Sequence, residues 1–282
     1  MFVVIRHHLS RSKGQILGWG FCLAVYAGYM VGFYEEFLGM QDQFILLLKS
    51  YPEELVAVVG GIDALSTPGG YLHTYVFSYM PLILGVFAIL AGTGLLVQDE
   101  ERGILDLIVS YPLSRMQFFF GRWIGLILTL GLILFLMWMG VAIPLGSSQM
   151  GFSIWSVLGG LASLLALLLL FSGLGLLLSM LLPSRNLASA VTGFCLMASF
   201  LVTTIAGINP DIETLDRFSP FHYYQGGLAL GGVEWTWVVG LLGIGLLFSL
   251  IGWILFARRD IRVAGESSWR LPVSLRKLRV LV

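Results

Sequence analysis

Apolar positions along the chain fall into six long runs that contain no Asp, Glu, Lys, Arg or His. The runs cover residues 14–34, 75–97, 123–145, 152–182, 186–208 and 236–257. Each run reaches the roughly 20 residues that an α-helix needs to cross the hydrocarbon core of a membrane. Because a helix satisfies its backbone hydrogen bonds internally, the pattern predicts an all-α polytopic membrane protein with six transmembrane helices.

Polar residues between the runs define the connections, of which 35–74 and 209–235 share one side of the membrane. In the first, Phe37, Met40, Phe44 and Leu47 are spaced as on one face of a helix. The segment 67–70, with Pro and two Gly, is expected to turn the chain back to the membrane. In the second, a short acidic helix is expected after Asn209, followed by an aromatic cluster at 219–224. Such a cluster suits the headgroup level as an anchor, or it covers a pore mouth.

Charged residues are few and are sorted by side. Only 11% of residues are charged and the net charge is zero, so nothing in the composition points to a nucleic-acid partner. The segment 1–13, the connections 98–122 and 183–185 and the tail 258–282 hold fourteen of the sixteen Lys and Arg residues. Positive residues stay cytoplasmic, so both termini are predicted inside. Residues 1–13 are expected to form a basic interfacial N-terminal helix, and the tail is expected to contact membrane lipids.

The inner connection between the second and third runs combines an acidic start with apolar residues. Residues 99–111 are predicted to form an amphipathic helix along the inner surface, ending before Pro112. Ser114 and Gln117 have the spacing of a capping box, which predicts that a new helix begins there and continues into the third span. A rigid surface helix followed by a membrane helix is suited to transmitting movement from a cytoplasmic partner into the membrane. An acidic, solvated connector is the alternative.

This connection resembles the segment after the second span in ABC exporter permeases of the second type. The match consists of Asp99, Glu100, Glu101, Gly103, Leu105, Leu107, Pro112, Ser114 and Arg115. Ile104 stands where the family usually has Thr. The segments 219–221 and 256–261 resemble the same family, and 68–72 resembles a segment of a bacterial drug-export subgroup.

The resemblance implies the permease subunit of an ATP-driven exporter in a bacterial or archaeal inner membrane. Its partners would be a cytoplasmic ABC ATPase and a second permease, as a homodimer or with a sister chain. The sequence has no GxxxxGK[ST] phosphate loop, so ATP and Mg are expected on the ATPase and no cofactor on this chain. The residues expected to couple the two chains are Asp99, Glu100, Glu101, Arg102, Gly103, Ile104, Leu107, Ile108 and Arg115.

The uncharged runs favour a hydrophobic or amphipathic cargo, such as an antibiotic, a drug or a lipid-like compound. Hydroxyl residues in the second and fifth runs are candidates for lining the path, although many such side chains simply bond to helix carbonyls. These candidates are Thr93, Thr192, Ser199, Thr203 and Thr204.

An intramembrane enzyme is the first alternative to transport by an ATP-driven permease. The sequence has no HExxH motif and its four histidines are scattered, so no catalytic or metal-binding residue is expected. A passive channel or membrane scaffold without ATPase coupling is the second alternative. A phosphate-loop ATPase encoded by the neighbouring reading frame would separate coupled transport from both.

Overall fold

The computed structural model describes residues 1–51, 56, 67–101, 114–146, 148 and 150–258. The longer helices in these ranges are α1 (Phe2–Gly32), α2 (Tyr34–Leu48), α4 (Met80–Glu101), α5 (Arg115–Leu145), α6 (Val157–Leu181), α7 (Arg185–Ala206) and α9 (Trp235–Arg258). Two short helices, α3 (Pro68–Leu72) and α8 (Glu213–Asp216), lie in the outer connections.

Within the described residues, six helices are long and apolar enough to cross a membrane. They are Phe2–Gly32, Pro68–Gln98, Arg115–Leu145, Val157–Leu181, Arg185–Ala206 and Trp235–Arg258. The second of these joins α3, a π-helical turn at His73–Phe77 and α4. The six predicted spans are therefore confirmed, and the chain is an all-α, multi-pass membrane protein.

Helix α6 lies at the centre of the fold and is buried along almost its whole length. Its sequence is apolar on every side, which is typical of a helix surrounded by other helices. Glycine allows α9 to approach closely: a Cβ at Gly173 would lie 2.5 Å from the Gly245 carbonyl oxygen. On another side of α6, Gly92 of α4 packs directly against the Ser172 backbone. The fourth span is thus the core against which spans two and six pack.

Helices α1 and α5 form the other extensive helix pair. A Cβ at Gly28 would lie 2.7 Å from the carbonyl oxygen of Gly140, so the two backbones nearly touch. At the opposite end of the pair, Gly121 faces Val4 and Gly125 faces His8. Residues 2–13 pack against α5 and belong to α1, which runs without a break from Phe2 to Gly32. The sequence suggested a separate interfacial segment instead.

The segment 67–70 begins a helix where a turn was predicted. Thr67 caps α3 by accepting a hydrogen bond from the Gly70 backbone N–H at 3.1 Å, and Pro68 occupies the first helical position. Both residue types favour turns and helix starts alike, so the local pattern did not distinguish them. Helix α2, in contrast, forms where it was predicted. Of its predicted apolar face, Phe37 is buried and Phe44 half-buried, whereas Met40 and Leu47 are exposed.

Candidate functional site: the inner ends of the spans and the outer loop

The start of α5 is fixed by the predicted cap. The Ser114 hydroxyl oxygen accepts a hydrogen bond from the Gln117 backbone N–H at 3.2 Å, and the helix begins at Arg115. Such a cap satisfies one of the N–H groups that a helix start leaves unpaired. The third span therefore begins at a defined point directly after the inner connection.

Arg122, two turns into α5, holds the inner part of α4. Its guanidinium donates to the Leu95 carbonyl oxygen at 2.7 Å, and its Cζ lies 4.6 Å from the centre of the Phe118 ring. The charge strengthens the hydrogen bond, and the ring face stabilises the same cation.

Arg185, the first residue of α7, reaches the same helix from another neighbour. Its guanidinium donates to the Leu90 carbonyl oxygen at 3.1 Å. A Cβ at Gly94 would lie 2.9 Å from the Arg185 Cζ, so the absence of a side chain there makes room for the guanidinium. The second span is thus bound to the third and the fifth.

Arg115 connects the third span to the sixth. Its guanidinium donates to the Ala257 carbonyl oxygen at 3.3 Å, in the last turn of α9. Carbonyls in the last turn lack helical partners and carry the negative end of the helix dipole, so a cation is well placed there. We call Arg115, Arg122 and Arg185 the inner arginines. In each case the acceptor is a backbone carbonyl, which makes the contact difficult to anticipate from side-chain patterns.

Of the residues predicted to couple to an ATPase, the structure describes Arg115 and the backbone of Asp99, Glu100 and Glu101. The backbone of Asp99, Glu100 and Glu101 continues α4, so the acidic start belongs to the same rigid helix as Leu90 and Leu95. Arg102, Gly103, Ile104, Leu107 and Ile108, and with them most of the predicted coupling helix at 99–111, lie outside the described residues. The coupling role of the whole set stays a prediction.

The hydroxyl residues predicted to line a path occupy two environments. Thr93 and Thr192 are fully buried, and the Thr93 hydroxyl lies 2.9 Å from that of Ser189 across the contact between α4 and α7. Ser199 and Thr204 donate to carbonyl oxygens of their own helix, at Cys195 and Phe200. A part in a path stays a prediction for all of them.

Thr203, the fifth candidate, belongs instead to a polar cluster that fixes the outer loop. Its hydroxyl donates to one carboxylate oxygen of Asp216 at 2.6 Å, while the other lies 2.5 Å from the His222 Nδ1. The Ser219 hydroxyl lies 2.9 Å from that of Thr203 and donates to the Ser199 carbonyl oxygen at 3.0 Å. Asp216 is only 7% exposed, so these groups replace water around a buried carboxylate.

The rest of the outer loop is anchored in the helix bundle. The Gln225 side chain makes two hydrogen bonds to the Glu234 backbone, at 2.8 and 3.0 Å. The Gln225 backbone N–H donates to the Ser163 hydroxyl of α6. The buried Tyr224 donates to the Phe77 carbonyl oxygen at 2.9 Å, and burial raises the pKa of this phenol well above its usual range. The predicted aromatic cluster is thus partly interior, because Phe221 is buried with Tyr224 while His222 and Tyr223 stay half-exposed.

The sequence did not reveal the Asp216 cluster. Asp216 lies in the segment where only a short acidic helix was expected after Asn209, and His222 lies in the predicted aromatic cluster at 219–224. The sequence signal that could have predicted the cluster is the spacing around Ser219. Asp216 stands three residues before this hydroxyl, and His222 stands three residues after it.

No group of three His, Cys, Asp or Glu residues able to hold a metal ion occurs in the part of the chain that the structure describes. The described part of the chain combines six membrane helices, charged contacts at their inner ends and a folded outer loop. The described site thus defines a class, a multi-pass membrane protein with a core of apolar helices.

Comparison with protein families gives the particular assignment. The family described as ABC-2 family transporter protein matches residues 14–261, which is most of the chain. The chain therefore belongs to the ABC-2 transporter family, whose members are membrane transport subunits that generally work with an ATP-binding subunit. This confirms the family resemblance seen in the sequence. Comparison with curated proteins gives no match.

Proposed function

We propose that this chain is the permease subunit of an ATP-driven exporter. The observation that carries the proposal is the family match over residues 14–261, on a chain with six candidate spans and no phosphate loop of its own. ATP and Mg would bind a separate cytoplasmic ATPase, and two permeases would pair around the path, as a homodimer or with a sister chain. The membrane would be the inner membrane of a bacterium or archaeon.

The inner arginines provide a physical route for coupling. The acids at 99–101 would face basic residues of the ATPase, and Ile104, Leu107 and Ile108 would fill an apolar cleft on it. Because Arg122 and Arg185 attach α4 to α5 and α7, a push on residues 99–111 would move three spans together. Closure of the ATPase pair would thus become a rigid-body change in the membrane, one of the usual forms of switching between two states.

The proposed cargo is hydrophobic or amphipathic, such as an antibiotic, a drug or a lipid-like compound. The six runs contain no Asp, Glu, Lys, Arg or His, so they offer no carboxylate for an ion and no acidic, basic or imidazole group for a proton relay. Transport energy would therefore come from the ATPase.

The test is reconstitution of the chain in vesicles with and without the ATPase encoded by the adjacent gene. We expect ATP-dependent export of at least one compound from a panel of amphipathic drugs, with ATPase activity stimulated by the same compound. The chain alone should be inert. Flux from vesicles that contain only this chain would contradict the proposal and favour a passive channel.

A further inference from the structure

An aromatic pocket with a volume of about 490 Å³ lies between the outer end of α1, helix α2 and the start of the second span. Ten described residues line it, and six of them are aromatic: Tyr29, Phe33, Phe37, Phe44, Tyr71 and Tyr75. The others are two methionines, a leucine and the amide of Gln43. The pocket is distinct from the inner arginines and from the Asp216 cluster.

The rings of this pocket are held in place. The Phe37 ring centre lies 4.8 Å from that of Tyr71, 5.8 Å from that of Tyr75 and 5.9 Å from that of Phe44. The Tyr71 hydroxyl donates to the Met30 carbonyl oxygen at 3.0 Å, and Tyr26 donates to the Tyr75 carbonyl oxygen. The hydrogen bond of the Tyr71 hydroxyl and the ring contacts fix the buried rings of Tyr71 and Phe37, and the more accessible rings of Phe44 and Tyr75 pack beside them.

The charges around the pocket favour a cation. The lining residues that the structure describes include no Lys, Arg or His. Glu36 lies on the same face of α2 as the lining residues Met40 and Gln43, one and two turns before them. Glu35, only one residue away, points about 100° around the helix from Glu36, away from the pocket. Glu36 is exposed and is not one of the described lining residues, so its carboxylate would act on a bound ion from the rim of the pocket. The carboxylate and the negative ring faces both repel an anion and attract a cation.

We infer that the aromatic pocket binds lipophilic cations, meaning compounds that join a quaternary or protonated centre to apolar groups. The ring faces would contact the cationic centre, the methionines and leucine would contact the apolar groups, and Glu36 would supply the counter-charge. As a cargo class for export, this rests on the proposed function; as a binding site, it does not.

The test uses the purified full-length chain in lipid nanodiscs without any ATPase, so its outcome is independent of transport. Two radiolabelled probes of nearly equal shape and opposite charge, tetraphenylphosphonium and tetraphenylborate, are measured by equilibrium binding against empty nanodiscs. We expect saturable binding of the phosphonium cation and none of the borate anion. Equal saturable binding of both ions, or binding of neither, would overturn the inference.

Single substitutions locate the binding. Phe44→Leu keeps the apolar volume but removes a ring face, and should weaken phosphonium binding roughly 3- to 30-fold. Glu36→Gln should weaken it about 2- to 5-fold. The matched controls are Glu35→Gln and Phe194→Leu, on an exposed part of α7, and both should leave the affinity unchanged. Because Glu36 is exposed, its substitution tests the site even if Phe44→Leu impairs folding.

A choline headgroup carries the same quaternary ammonium chemistry as a free cation. Binding is therefore compared in phosphatidylglycerol and phosphatidylcholine nanodiscs. Equal phosphonium affinity in both supports a site for free lipophilic cations. Loss of binding only in phosphatidylcholine would mean that the headgroup occupies the pocket, and would overturn the assignment to free cations.

Discussion

Single arginine side chains join separate spans at the inner side of this protein, and Arg122 makes the shortest of these contacts. Its partner is a backbone carbonyl, which only a donor of the right reach and direction can bind. Arg122→Gln should lower the free energy of unfolding by about 1–3 kcal/mol, because a charge-assisted hydrogen bond and a cation–π contact are lost together. Thermal unfolding in detergent measures this effect.

The same substitution should also uncouple transport. ATP-driven flux by the reconstituted complex should fall several-fold more than ATP hydrolysis. The ATPase would still bind, but a movement of α4 would no longer be transmitted to α5. Arg6→Gln, an exposed arginine at the start of α1, is the control. Equal thermal stability and flux for Arg122→Gln and the natural chain would refute this role.

Asp216 lies in the outer loop, yet its carboxylate makes two buried hydrogen-bond contacts, with Thr203 and His222. Asp216→Ala would leave the Thr203 hydroxyl and the His222 imidazole without their buried partner, at a cost of about 1–3 kcal/mol. We expect faster hydrogen exchange in residues 203–224 and a lower unfolding temperature. Asp211→Ala, in the same loop but exposed, should change neither. If exchange is as slow in Asp216→Ala as in Asp211→Ala, the carboxylate does not anchor the loop.

At the scale of helices, close backbone contact decides how α1 and α5 pair. A Cβ at Gly140 would overlap the Ala24 backbone, whereas a Cβ at Gly131 of the same helix meets nothing within 4 Å. Gly140→Ala should therefore destabilise the protein by about 1–3 kcal/mol through overpacking. Gly131→Ala should be neutral or slightly stabilising, because alanine favours helices. Unfolding temperatures of the two variants provide the comparison, and equal values would show that the helices separate without cost.

Helices were predictable from the sequence to the extent that their signals are local. The apolar runs predicted the spans, and Ser114 with Gln117 predicted the start of α5. The orientation that the distribution of charge indicates stays a prediction. The continuation of α1 back to Phe2 was missed, because it depends on packing of Val4 and His8 against glycines more than a hundred residues away.

At the scale of the whole molecule, the all-round apolar sequence of α6 predicts a membrane span, whereas its central place depends on packing, since α9 is equally apolar but much less buried. The hydrogen bonds at the inner ends of the spans and in the outer loop cannot be predicted from the hydropathy of the sequence. The inner arginines bind carbonyls of distant helices, and the outer loop is held by pairs such as Gln225 with Ser163, 62 residues apart. Such contacts leave no periodic pattern, so they become visible only when the chain is folded.

The interaction of the chain with its proposed ATPase partner also belongs to the scale of the whole molecule. If Glu100 and Glu101 dock on basic residues of an ATPase, the double charge reversal Glu100→Lys with Glu101→Lys should release that subunit in a pull-down. Two like-charge contacts would replace two favourable ones, which weakens an interface by several kcal/mol. ATP-dependent transport should be lost with it.

The control for this prediction is Asp211→Lys, a charge reversal on the outer side, which should leave co-purification intact. Pull-downs at increasing salt add a second readout: a docking site based on exposed charges weakens as screening rises, whereas an apolar one does not. Retention of the ATPase by the double variant, together with normal transport, would show that the acidic end of α4 is only a solvated connector. Release without any salt dependence would instead place the attachment on the apolar residues that follow, Ile104, Leu107 and Ile108.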